Sequence, residues 1–146
     1  MLIFSCGPRT GVHYEEEKKD EQPLGLCGNV AIEENNAVWA EKTLKIKGDH
    51  QKGKKLFKQN CAVCHTMFDA KLCGPGLRGV YYRVPPPPGE WLAKFILNHQ
   101  KVVNSGDPYA RKIYEENGKI ETTDFSDILT KQDLNDILIF VVSSTR

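Results

Sequence analysis

Methionine is almost absent from this 146-residue chain, with only Met1 and Met67 present. Thioether donors to a metal are therefore scarce. No apolar run approaches the roughly 20 residues that a membrane-spanning helix needs. The formal net charge of +1 lacks the basic excess that phosphate binding requires, which removes nucleic acid as a main partner. One CxxC pair stands at Cys61 and Cys64. No second CxxC or HxxxH accompanies it, so a structural zinc site lacks half its ligands. The βαβ context of a thioredoxin-like dithiol is also missing.

What is present is ordinary globular material, 40% hydrophobic and 27% charged, enough for one compact domain plus a tail. Its charge is sided. Glu15, Glu16, Glu17, Asp20, Glu21, Glu33 and Glu34 make the early part acidic, whereas Lys42 to Lys58 carries seven lysines. That asymmetry can orient a molecule towards a charged partner, and each lysine alone is also an ordinary solvated side chain. The opening MLIFSCG resembles the end of a bacterial lipoprotein signal, with Cys6 as the residue that would carry lipid and attach the chain to a membrane surface. The charged n-region and most of the apolar h-region of such a signal are missing. Of the five cysteines, Cys27 and Cys73 then remain, as a disulfide pair or as two separate thiols.

Residues 7 to about 40 lack sustained periodicity and read as an extended spacer, with TLKIKGD as its one hint of a strand. Asp49 caps a helix through HQKGKKLFKQN, anchored by Leu56 and Phe57. CGPGLRGV is a glycine-punctuated loop and VPPPPG a stiff connector. A second helix begins near Gly89, with Trp91, Leu92, Phe95, Ile96, His99, Val102 and Val103 on one stripe. Asp107, Pro108 and Asn117-Gly118 bracket a third helix. The last starts after Thr130, with Asp133 completing a capping box and Leu134, Ile137, Leu138 and Val141 on its apolar face.

The chemistry lies in NCAVCHTMF. Two thiols one turn apart can each add to a haem vinyl group, and the adjacent His65 then reaches the iron as proximal ligand. From GKKLFKQNCAVCHT through GPGLRGVYYR, a tryptophan opening a helix and LTKQDLNDILIFV, the chain resembles class I cytochrome c over about residues 49–143. The resemblance implies thioether attachment through Cys61 and Cys64, with His65 on the iron. It implies that the Pro75 carbonyl holds the other nitrogen of His65, that Leu77 packs on the haem, and that Arg83 and Trp91 bind the propionates. Gly53 and Phe57 would cross the last helix at Ile137 and Phe140.

In that family the second axial ligand is a methionine, commonly three residues ahead of a phenylalanine. With Phe125 as that phenylalanine, the position holds Thr122. Met67, two residues from His65, spans at most about 7 Å of backbone and cannot reach the opposite face, so it reads as a core or haem-edge filler. Four alternatives stand for the distal side. They are His99 on the apolar stripe, Lys119 after loss of its proton, an open five-coordinate iron, and His13 or His50 carried in by the N-terminal arm.

The resemblance therefore implies a mostly α, cytochrome c-like fold of three to four helices around one covalent haem c, over residues 48–146, behind an irregular arm at 1–47. It implies a single-electron carrier rather than an enzyme, in a bacterial respiratory chain on the periplasmic side of the cytoplasmic membrane. Its electrons would come from a quinol-oxidising complex and pass to a terminal oxidase or reductase, by a free or anchored shuttle or a bound subunit. The spacing of WLAKFILNHQKVVNSGDPYARKIYEENGK is similar to cytochromes attached to respiratory complexes. The alternative is a gas-binding or peroxidase-like protein with an open iron.

Overall fold

Asp49 opens the first well-signalled helix: its carboxylate accepts from the N–H groups of Gln51 (2.8 Å) and Lys52 (2.9 Å), two of the donors a helix start leaves unpaired. A computed structural model describes residues 29–146 of the chain. The described residues form seven helices and no strand: α1 (Asn29–Leu44), α2 (His50–Asn60), α3 (Val80–Arg83), α4 (Pro88–Leu97), α5 (His99–Asn104), α6 (Pro108–Glu116) and α7 (Lys131–Ser144). The fold is mostly α, as expected.

The centre is α7, whose residues from Ile137 to Ser143 are all buried. Thr130 and Asp133 start it with a reciprocal capping box. Helix α2 crosses it closely because Gly53 has no side chain; a Cβ there would overlap the Asp136 carbonyl oxygen. Phe57 and Phe140 meet across the seam with ring centres 5.6 Å apart. Asp136, 1% exposed, is the polar pin of this crossing. It accepts from the Asp49 N–H at 2.8 Å and from Gln132 Nε2 at 2.9 Å, and Lys52 Nζ lies 3.2 Å from its other oxygen.

Three expectations need correction. Residues 29–44, read as irregular spacer, form α1, which lies along α7 with Ala40 fully buried. The TLKIKGD stretch is not a strand: Thr43 and Leu44 end α1, and Lys45 turns the chain out at φ 56°. The second helix is not continuous, because Asn98 leaves helical geometry (φ −154°, ψ 89°) and caps α5 by accepting from Lys101 N–H at 2.8 Å. Its side-chain amide also donates to Asp124, and Leu97 O accepts from Phe125 N–H at 2.8 Å, so the break is held by the segment before α7. The short helix α3 follows the glycine-punctuated loop; Trp39 covers it through an edge contact with Tyr81 (6.1 Å), and Arg146 stacks on Trp39 at 4.6 Å. Cys6, Cys27 and His13 lie outside the described residues.

Candidate haem site

Helix α2 delivers Cys61 as its C-cap, with the Cys61 N–H donating to Phe57 O at 2.8 Å. The chain then coils tightly: Cys64 N–H (3.1 Å) and His65 N–H (2.9 Å) both donate to Cys61 O. This turn presents the two thiols and the imidazole from one short segment. Burial, and then the Cys64 neighbour, push the Cys61 thiol up to about 11. Cys64 is also raised, by burial and then by the Cys73 thiol beside it. Both are therefore neutral thiols near pH 7, and conversion to thioethers removes their titration. Cys73 is exposed and unbridged among the described residues.

The tautomer of His65 follows from its partner. Nδ1 lies 2.9 Å from the Pro75 carbonyl oxygen, which can only accept, so Nδ1 carries the proton and Nε2 keeps its lone pair. Nε2 makes no hydrogen bond among the described residues. Gly74 lies against this ring, and a Cβ there would sit 2.5 Å from Cε1 and 2.9 Å from Nδ1. The loop is tied back by Gly74 N–H to Cys64 O (2.9 Å) and Leu77 N–H to Thr66 O (2.9 Å). Leu77 and Met67 are half-buried against the core.

Arg83 Nη2 donates to Gly76 O at 2.8 Å and fixes the same loop, leaving its other N–H donors without a partner among the described residues. The single N–H of Trp91 is used on Asp107 Oδ2 at 3.0 Å, while its ring stacks on Phe95 at 4.7 Å. In this arrangement Trp91 acts as an apolar wall with no donor left for a propionate.

Phe95, His99 and Tyr114 form a separate cluster, with the His99 ring 5.9 Å and 6.1 Å from its two aromatic neighbours. His99 is 9% exposed. Its Nδ1 lies 2.7 Å from Thr122 Oγ1, and its Nε2 is buried without a partner. A buried nitrogen left unpaired costs about 1–3 kcal/mol, which a ligand or a water at Nε2 would offset. No sequence signal pairs residues 99 and 122, because they meet only when the segment after α6 folds back on the α4–α5 break. The other candidates fare differently. Lys119 is an exposed side chain on the loop. His50 opens α2 with its ring 5.2 Å from Phe140, and the helix holds it 11 residues, about 16 Å, from Cys61.

The residue set fits a haem. It offers two thiols at thioether spacing, one imidazole with its tautomer set, and a second imidazole with an unpartnered buried nitrogen. What the fold and the site define is a helical protein that holds haem through covalent bonds. The sequence profile of the cytochrome c family matches residues 50–145, so the chain belongs to the cytochrome c family. It is also similar to a protein described as cytochrome c-553-like from Synechocystis sp., 40% identical over 45 residues. That stretch is 31% of this chain and 43% of the relative, so the match spans less than half the relative's length. No solved structure matches the chain. Membership brings one covalent haem c, attached through cysteines, and electron transfer as the family's general work.

Proposed function

We propose that the protein is a monohaem carrier of single electrons in a bacterial respiratory chain, working on the periplasmic side of the cytoplasmic membrane. Cys61 and Cys64 hold the haem as thioethers and His65 Nε2 is its proximal ligand. The observation that supports this best is the 2.9 Å bond from His65 Nδ1 to the Pro75 carbonyl. It orients the ring and raises the donor strength of Nε2. Haem supplies the one-electron couple when bound, and the chain supplies its ligand, its apolar wall and its enclosure. Leu77 and Trp91 form part of that wall, and Arg83 supplies donors for a propionate.

Electrons enter from a quinol-oxidising complex and leave to a terminal oxidase or reductase. Docking is assigned to α2, where Lys54, Lys55 and Lys58 line one shallow surface with Gln51 and Gln59. Lys47 and Lys52 pair with Glu41 (2.6 Å) and with Asp133 (2.7 Å) and Asp136, and Lys54 lies 4.0 Å from Glu33, so Lys55 and Lys58 are the lysines of this surface without an ion pair among the described residues. A lipidated Cys6 would tether the carrier. Among the described residues no helix is long and apolar enough to cross a membrane.

Carbon monoxide tests the carrier against the gas-binding or peroxidase-like alternative. A carrier keeps both axial positions filled in both oxidation states, so adding the gas to the reduced holoprotein leaves its spectrum unchanged. Rapid and full conversion would establish the open-iron alternative.

A further inference from the structure

We propose that His99 Nε2 is the second axial ligand of the haem iron and that Thr122 is the positioning residue that sets its tautomer. The inference rests on the reading that the CAVCH turn holds the haem. His99 Nε2 is the polar atom left without a partner in a ring that is 9% exposed. The opposite nitrogen is committed to Thr122 Oγ1 at 2.7 Å. For Nε2 to offer its lone pair, Nδ1 must carry the proton and Thr122 must accept it. This repeats the arrangement at His65, where Nδ1 is anchored to an oxygen and Nε2 is left free.

Among the described residues, elimination leads to the same nitrogen. Met67 follows His65 by two residues on the proximal segment, and the other methionine, Met1, opens the chain. Of four histidines, His65 is used, His50 is held against Phe140, and His13 lies outside the described residues. Lys119 is exposed and must lose a proton before it can bind a metal.

The elements that meet at His99 are pinned on both sides. The Asn98 cap sets where its backbone leaves the helix. Phe125 N–H to Leu97 O (2.8 Å) and Lys119 N–H to Tyr114 O (2.9 Å) set the segment that carries Thr122. Phe95 and Tyr114 restrict the ring itself. A ligand held this firmly need not reorganise when the metal changes charge, which suits electron transfer. Two nitrogen ligands place the reduction potential below that of a nitrogen and thioether pair.

The test uses full-length holoprotein and reads electron paramagnetic resonance of the ferric form, carbon monoxide binding of the ferrous form and the midpoint potential. Wild type should be low-spin and inert to carbon monoxide. His99→Ala should lose the low-spin signal, bind the gas fully and regain the low-spin signal when free imidazole is added. His99→Met should stay low-spin with its potential shifted positive. Thr122→Val should shift the potential positive and broaden the ferric signal, and Thr122→Ser should restore both. A His99→Ala protein that keeps the wild-type low-spin signal overturns the proposal and makes His99 a propionate partner or a packing residue. If that variant fails to fold, a His99→Met potential equal to wild type overturns it instead. Wild-type chains without thioether-bound haem would overturn the carrier reading as well, which separates the two failures.

Discussion

Replacing Gly53 by alanine sets two effects of opposite sign against each other. In an isolated helix the change would stabilise by about 1 kcal/mol, since alanine is the better helix former. Here the new Cβ would overlap the Asp136 carbonyl oxygen and sit 2.5 Å from its carbon and 2.9 Å from Phe140 Cβ. Restoring ordinary contact, 3.4 Å or more, requires α2 and α7 to part by about 1 Å at the Asp136 carbonyl carbon and by more at its oxygen. A gap of that size forfeits roughly a quarter to a half of the dispersion well of each contact. Phe57, Ile137 and Phe140 belong to the shared core, and each contributes about 2 kcal/mol by burial. Losing about a third of that from three side chains costs roughly 2 kcal/mol, and residual backbone strain adds about 1. After the propensity gain, Gly53→Ala should destabilise by about 2 kcal/mol, a fall in melting temperature of about 8–16 °C for a domain of this size. Thermal unfolding of the holoprotein followed by far-ultraviolet circular dichroism reads it. A variant as stable as wild type, or more so, would refute the close crossing.

Three other outcomes are expected. Gly74→Val should drive a side chain into the His65 ring, since even a Cβ would lie 2.5 Å from Cε1, and the fraction of chains that carry covalently attached haem should fall several-fold. Pyridine haemochrome spectra against total protein measure it. Lys55→Glu with Lys58→Glu should slow reduction of a membrane-bound oxidase severalfold at low salt and little at high salt, because screening removes the attraction; equal slowing at all ionic strengths would argue for misfolding. Acid should destabilise in two windows. Burial lowers the pKa of His50, so stability falls as pH drops below about 6.5, the unfolded value. Lys52, with Thr130, holds the Asp133 carboxyl at about 2 against an ordinary 3.8, so its contribution is present above 3.8 and is lost as pH falls towards 2. Urea midpoints across pH should show Asp133→Asn losing only the lower step.

The parts of the molecule legible in the sequence are those with local causes. Asp49, the Asp107-Pro108 pair and the Thr130–Asp133 box are cap residues whose partners lie two or three positions away, and each starts a helix where its chemistry says it should. CAVCH is likewise self-contained. Helix α1 was hidden because its turns bury small residues such as Ala40 among polar neighbours, so its periodicity is faint until α7 lies alongside. The break at Asn98 was masked by an apolar stripe that runs straight through it. There the cap and two hydrogen bonds from the 124–125 segment outweigh helix continuation. The His99–Thr122 contact spans 23 residues and depends on that break, so a composition or spacing argument reaches Thr122 only as a missing methionine.

On the reading proposed above, one thioether-bound haem in this chain passes single electrons without opening its coordination. A spectroelectrochemical titration of the full-length holoprotein, cycled from ferric to ferrous and back, tests it most directly. One reversible one-electron transition is expected, with a low-spin spectrum at both ends. A high-spin ferrous product, or reoxidation that fails to return the starting spectrum, would contradict it.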